Sequence, residues 1–211
     1  MFKGIHHITY VVEDVAATEA YMLSAFGMEA EKYQEQPELE ERLGFKTAFY
    51  TVGSTILDFF QPVKEGIPVD KFLKSNGPGV LHVGWEVNDI ESIVKEFVTK
   101  GVDARQKDRA ADSPQGYKTL SIDIPNNPLG LWFHLAEGPM TLTPVPGQGE
   151  LDGMFKGVHH ITYVVEDITA TEAYMLSAFG MEVEKYQEQP ELEERLGFKI
   201  AFYTVGSTIL D

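Results

Sequence analysis

The chain repeats itself. Residues 1–58 and 154–211 are identical at all but five positions, where Ile5, Val15, Ala16, Ala30 and Thr47 give way to Val158, Ile168, Thr169, Val183 and Ile200. A spacing of 153 residues is far beyond the roughly 20–50 residues of a solenoid unit, so the repeat is a tandem copy of a domain and not a stacking module. The second copy stops at Asp211, the counterpart of Asp58, whereas the first runs on into Phe59-Phe60-Gln61-Pro62. The expected organisation is one complete domain over residues 1–137, a linker over 138–153 with three prolines and four glycines, and a truncated repeat over 154–211.

Hydrophobic periodicity sets the order of elements. Residues 5–12 alternate and are rich in β-branched side chains, which predicts a strand; Asp14 follows as an N-cap, then a helix to about Phe26 with Gly27 behind it. Three extended segments come next, 28–34, 46–52 and 54–61, the last two joined in a hairpin at Val52-Gly53-Ser54, with an acidic loop or short helical turn over 35–43. The same succession returns: a strand at 79–87, Asp89 capping a helix over 90–100 closed by Gly101, and strands at 102–105, 117–124 and 129–135. A short helix is expected within 68–76, a polar loop over 106–116 and a turn at Pro125-Asn126-Asn127-Pro128. The fold class is therefore α+β: two βαβββ half-modules, 1–63 and 77–137, forming a cup-shaped mixed sheet, with a third half-module added at 154–211.

This fainter internal repeat brings chemistry together. His7 and Asp14 precede His82 and Asp89 by 75 residues, and Asp58 precedes His134 by 76. Side chains alternate between faces along a strand. In the first strand Ile8, Tyr10 and Val12 share the face expected to meet the helix, leaving His7, Thr9 and Val11 on the other. The fifth strand sets Leu81, Val83 and Trp85 against His82, Gly84 and Glu86; the fourth sets Leu57 and Phe59 against Asp58; the eighth sets Leu131, Phe133 and Leu135 against His134. His7, Asp58, His82 and His134 thus share the concave face as candidate metal ligands. The six histidines are residues 6, 7, 82, 134, 159 and 160, each at such a position, at its copy, or beside one. His6 and His159 have the wrong parity and are expected to be surface or hydrogen-bonding residues.

Composition removes several alternatives. With 33 acidic and 17 basic residues the net charge is −16, which repels nucleic-acid backbones and anionic membranes. No apolar run nears the ~18 residues of a membrane span, and the N-terminus has no signal-peptide profile, so a cytoplasmic protein is expected. The chain has no cysteine, so a bound metal would be held by nitrogen and oxygen alone.

The stretches His6-His7-Ile8-Thr9-Tyr10-Val11-Val12-Glu13-Asp14, Gly53-Ser54-Thr55-Ile56-Leu57-Asp58-Phe59-Phe60-Gln61-Pro62 and Gly77-Pro78-Gly79-Val80-Leu81-His82-Val83-Gly84-Trp85-Glu86-Val87-Asn88-Asp89-Ile90 resemble the vicinal oxygen chelate superfamily of glyoxalase I, methylmalonyl-CoA epimerase, extradiol dioxygenases and bleomycin-resistance proteins. The likeness covers residues 3–137 and the fragment, and the stretch 69–87 looks most like the epimerase branch. The resemblance implies a divalent metal held by His7, Asp58, His82 and His134. It implies chemistry in which the ion chelates two neighbouring substrate oxygens and stabilises the enolate left by an α-proton. Two features depart from the family: His134 stands where a glutamate is usual, and Asp58 is a methylene shorter than the customary side chain. Three imidazoles and one carboxylate suit zinc, cobalt, nickel or iron better than magnesium. Arg42 occupies the place of the epimerase branch's glutamate, with Glu41 beside it. Candidate general bases are His134, Glu86, Glu41 and Glu137.

Three functions compete at this point: a metal-dependent isomerase, epimerase or glyoxalase-type lyase acting on a small oxygenated substrate; a non-haem iron dioxygenase; and a non-catalytic small-molecule-binding protein of the bleomycin-resistance kind. The third half-module needs cover for its apolar face. Either it displaces residues 1–58, or it pairs with another molecule as a swapped homodimer element, His160 and Asp211 then replacing His7 and Asp58 as ligands; or it is a remnant of a truncated tandem protein, the reading favoured here.

Overall fold

A computed structural model describes residues 2–33, 39–102, 105–106, 111–112, 116–123, 127–130, 132–140, 142–143, 155–184 and 189–211. The first half-module comprises β1 (Gly4–Val11), α1 (Val15–Phe26), β2 (Lys32–Tyr33), α2 (Leu39–Leu43), β3 (Phe45–Val52) and β4 (Thr55–Pro62), and α3 (Pro68–Asn76) leads out of it. The second comprises β5 (Gly79–Val87), α4 (Ile90–Thr99), β6 (Arg105–Gln106), β7 (Ala111–Asp112), β8 (Lys118–Asp123) and β9 (Trp132–Glu137), followed by β10 (Leu142–Thr143).

Caps fix both long helices where the sequence places them. The Asp14 carboxylate accepts from the backbone N–H groups of Ala16 and Ala17, and Gly27 ends α1 in the left-handed region at φ 68°. Asp89 accepts from Ser92 N–H at the start of α4. The strands pair in the order β3-β4-β1-β5-β9-β8-β6, with β7 also on β8. At the centre β1 runs antiparallel to β5 with Thr9 opposite His82 and His7 opposite Gly84, so the two half-modules meet about a local two-fold. Each also pairs in parallel with its own last long strand, β1 with β4 and β5 with β9.

One face of this sheet carries the helices. Val15 and Met22 of α1 pack on Ala48, Tyr50 and Val52, while Ile90, Ile93 and Phe97 of α4 pack with Trp85, Phe133 and Leu135. At one end of the opposite face Val11, Phe49, Ile56 and Phe60 form a smaller apolar cluster covered by Val69 of α3. Several short segments depart from expectation. The strand expected over 28–34 shrinks to β2, which pairs with β10 inside the stretch read as a linker. The polar loop over 106–116 holds a described strand, β7, and the last strand begins at Trp132. The turn expected at Pro125-Asn126-Asn127-Pro128 lies partly outside the described residues.

The repeat folds as β11 (His160–Ile161), α5 (Ile168–Tyr174) with a π-helical turn Met175–Phe179, α6 (Gln189–Leu196), β12 (Tyr203–Val205) and β13 (Thr208–Leu210). It forms its own three-stranded sheet, β11-β13-β12, which reproduces β1-β4-β3. It neither displaces residues 4–62 nor leaves its apolar helix unpartnered. Met175, Ala178 and Phe179 join the main core beside Trp85, Phe97 and Phe133 on the helix-bearing face.

The contacts between the two copies are reciprocal. Phe2 lies against Phe179 with ring centroids 5.5 Å apart, and Phe155 against Phe26 at 5.7 Å. The Gly206 turn abuts the backbone of Lys3 and Gly4, and the Gly53 turn abuts Lys156 and Gly157, so close that a Cβ on either glycine would lie within 3.0 Å of backbone atoms. Each contact recurs 153 residues on with the roles exchanged, as in an isologous interface. Self-complementarity therefore directs the third half-module to the back of the first.

Candidate metal centre

The face opposite the helices gathers the imidazoles. His7, His82 and His134 are buried at 1%, 8% and 9% exposure, and their ligand-capable nitrogens all lie within 4.8 Å of one another. His7 Nε2 stands 3.1 Å from His82 Nε2, and the rings of His82 and His134 stack at 4.4 Å. Gly84, opposite His7 across the β1–β5 ladder, makes this approach possible: a Cβ there would collide with the His7 ring.

Asp58 is also buried, at 2% exposure, yet it stands one hydroxyl away from the cluster. Thr9 Oγ1 donates to Asp58 Oδ2 at 2.9 Å and lies 2.9 Å from His82 Nε2, so its oxygen accepts from the imidazole. Asp58 Oδ1 and His82 Nδ1 are buried with no hydrogen-bond partner among the described residues. On the far side β8 supplies hydroxyls to His134, Ser121 Oγ at 3.0 Å from Nδ1 and Thr119 Oγ1 in close contact with Nε2.

Burial governs the protonation of these groups. Desolvation drops His82 to about 3. Desolvation together with the neighbouring imidazoles holds His7 and His134 well below the usual histidine range. Removal from water lifts the Asp58 carboxyl to about 7, against the opposing hydrogen bond from Thr9. At neutral pH the cluster is three uncharged imidazoles with lone pairs to offer, beside a carboxyl near its midpoint.

These donors fit a divalent cation of borderline softness. Bonds of about 2.0–2.1 Å to imidazole nitrogen need the donor atoms some 3 Å apart; the His7–His82 pair stands at 3.1 Å and all three donors fall within 4.8 Å. Asp58, expected as a fourth ligand, is not among the clustered donors; Thr9 stands between its carboxyl and His82.

The other residues singled out from the sequence lie elsewhere. Glu86 is ion-paired with Lys3 at 2.7 Å. Glu137 accepts from Ile90 N–H at the start of α4 and pairs with Lys118. Glu41 is exposed on α2. None of the three belongs to the cluster. His160 and Asp211 do not enter the site either, because their half-module docks on the opposite face; His160 is exposed beside His159, and Asp211 accepts from Thr162 at 3.0 Å. Two apolar cavities of about 820 and 570 Å³ border the third half-module, and neither is lined by the clustered imidazoles or Asp58.

Strict alternation fails at two residues. Leu81, expected on the helix-bearing face, packs with Val11, Phe49, Ile56 and Phe60 on the other, where the β1–β5 register shifts between Thr9 and Tyr10. His6 is not at the surface: it is buried, its ring 4.6 Å from that of Tyr117, its Nδ1 2.8 Å from His7 Nδ1 and its Nε2 3.0 Å from the Gly138 carbonyl. The β1–β5 register shifts between Ile5 and His7, a bulge that suspends strict alternation there. The roles of Thr9, Thr119 and Ser121 had no sequence signal beyond Thr9 sharing a face with His7.

A family model described as the glyoxalase/bleomycin resistance protein/dioxygenase superfamily matches residues 6–117. An ethylmalonyl-CoA/methylmalonyl-CoA epimerase of Cereibacter sphaeroides is 30% identical over 91 residues, 43% of this chain and 65% of that protein, so the match spans less than two-thirds of the relative's length. Methylmalonyl-CoA epimerase from Mycobacterium tuberculosis has a similar structure, with a TM-score of 0.55 at 19% identity over 71% of this chain and 93% of that one. The Streptomyces coelicolor methylmalonyl-CoA epimerase in complex with 2-nitronate-propionyl-CoA gives 0.56 at 22%, over 65% and 99%. At these identities the structural likeness establishes the fold alone. No helix among the described residues is long and apolar enough to cross a membrane.

Proposed function

Because the chain belongs to the glyoxalase/bleomycin resistance protein/dioxygenase superfamily, we propose that it is an epimerase that holds a divalent cation on His7, His82 and His134 and moves a proton at the carbon α to a thioester carbonyl. The convergence of three buried, neutral imidazoles is the observation that carries this reading. The substrate class follows the relatives' printed activity, a 2-alkylmalonyl thioester. When bound, the cation supplies Lewis acidity to two adjacent substrate oxygens as negative charge builds on them.

The chain's own residues do the rest. Burial keeps the three imidazoles neutral, so a cation would displace no net proton from them; His82 Nε2 would pass the proton it gives Thr9 to Nδ1, which has no other partner among the described residues. Asp58, lifted to about 7, is matched to taking up and returning a proton at neutral pH, and its Oδ1 is uncommitted. Thr9 holds the other oxygen and ties the carboxyl to His82. Asp58 therefore takes the acid–base role here in preference to Glu86 and Glu41. His134, braced by two hydroxyls, remains a ligand. A binding protein of the bleomycin-resistance kind has no need of such a cluster, and a cluster free of carboxylate lacks the two-histidine, one-carboxylate pattern of iron oxygenases.

Solvent deuterium exchange at the α-carbon of a methylmalonyl thioester, followed by proton NMR, tests the proposal. The wild type with cobalt or zinc should exchange that proton; His82→Ala and Asp58→Asn should not, and His160→Ala should match the wild type. Tight, stoichiometric metal on a chain that leaves the α-proton in place would overturn the epimerase reading.

A further inference from the structure

The hydrogen bonds of His6 settle which nitrogen of His7 is free. The Gly138 carbonyl only accepts, so His6 Nε2 carries the proton of that 3.0 Å contact. In a neutral ring His6 Nδ1 is then a bare acceptor. It faces His7 Nδ1 at 2.8 Å, and a contact that short between two ring nitrogens needs one proton between them, which comes from His7. His7 Nε2 is left with its lone pair turned toward His82 Nε2.

We propose that His6 is a positioning residue: anchored on Gly138, it holds His7 in the tautomer protonated at Nδ1 and so presents His7 Nε2 as an unprotonated ligand atom. The opposite tautomer would turn the His6 Nε2 lone pair against the carbonyl lone pairs of Gly138 at a part-buried contact. The Tyr117 ring packed on His6 fixes its plane, and the bulge between Ile5 and His7 is what admits two consecutive histidines to one interior. Gly138 directly follows β9, the strand that carries His134. His6 thus links the orientation of the ligand on the first strand to the end of the strand that supplies the third. Outer partners of this kind raise ligand basicity and fix ring direction.

The consequence for a cation rests on the function proposed above, whereas the tautomer belongs to the metal-free protein and is measured there. Two-bond proton–nitrogen NMR spectra of the nitrogen-15-labelled full chain should show His7 protonated at Nδ1. His6→Phe keeps a ring against Tyr117 but offers no acceptor; it should shift His7 toward protonation at Nε2 and weaken cobalt(II) binding about 10–100-fold. His6→Asn returns an acceptor oxygen near the Nδ1 position and should restore both. A wild-type His7 protonated at Nε2 overturns the proposal even if the phenylalanine variant does not fold, as does a folded His6→Phe chain whose His7 tautomer is unchanged. If His7 shows the expected tautomer and responds to His6→Phe while no chain binds cobalt, the role of His6 stands and the cation reading falls.

Discussion

Replacing Gly84 with alanine puts one methyl group where the His7 ring now lies. The new Cβ would sit 2.7 Å from His7 Nε2 and nearer still to two other ring atoms, whereas ordinary contact begins at 3.4 Å. Gly84 is in the middle of β5, hydrogen-bonded on both sides to β1 and β9, so the backbone cannot give way and the imidazole must. A displacement of about 1 Å is several times the ~0.2 Å that metal–nitrogen bonds tolerate. Overpacking of this kind costs about 1–3 kcal/mol of stability, or roughly 2–4 °C in melting temperature per kcal/mol for a chain of this size. Cobalt affinity should fall at least about tenfold beyond that general loss, as it does when an outer support of a ligand is removed. Calorimetric titration of metal into the apo-protein, with melting curves of the same samples, separates the two effects. Gly4→Ala is the control, since its Cβ would meet Glu86 Oε2 at an ordinary 3.8 Å. A Gly84→Ala chain that melts and binds cobalt like the Gly4→Ala chain would refute the claim that the His7 ring rests on a bare backbone.

Asp58→Asn should stabilise the metal-free protein at alkaline pH. The folded pKa of about 7 exceeds the unfolded value near 3.9, so the folded state binds more protons between them, and Asp58 costs stability as pH rises through that window, by up to a few kcal/mol above it. The buried imidazoles have the opposite sign, costing stability as pH falls below about 6.5. Urea midpoints across about pH 5 to 8.5 should therefore pass through a maximum in the wild type that moves upward in Asp58→Asn; an unmoved maximum would show that the carboxyl is not desolvated. Phe179→Ala removes the ring packed on Phe2, Phe97 and Phe133 and should weaken docking of the third half-module by about 3–5 kcal/mol. Limited proteolysis should then cut within residues 155–211 while 4–137 stays protected, and equal protection of both parts in the variant would count against this docking.

Much of the architecture was legible because it depends on local pattern. Asp14 and Asp89 mark the helix starts, Gly27 the end of α1, and period-two alternation puts His7, His82 and His134 on one face. Asp58 was on the predicted face, but its relation to the imidazoles was not, since the reach of a short side chain across two strands depends on the β1–β4 register and on Thr9 standing between. The candidate bases Glu86 and Glu41 lie outside the imidazole cluster for a similar reason: Glu86 meets Lys3 from a distant part of the chain and Glu41 faces solvent.

Local pattern is enough to give the tandem duplication, the order of the main strands and helices, and the shared face of His7, His82 and His134, since backbone geometry imposes these from one residue to the next. The docking of residues 155–211 and the burial of His6 instead depend on contacts between distant parts of the chain. Residues 155–211 carry nearly the same sequence as 2–58, yet they pack on the back of the sheet instead of across from residues 79–137, leaving Val164 95% exposed where Val11 is fully buried. His6 was misassigned because a bulge arises between two strands about 75 residues apart. Alternation is a rule about one strand, and a bulge is a property of two.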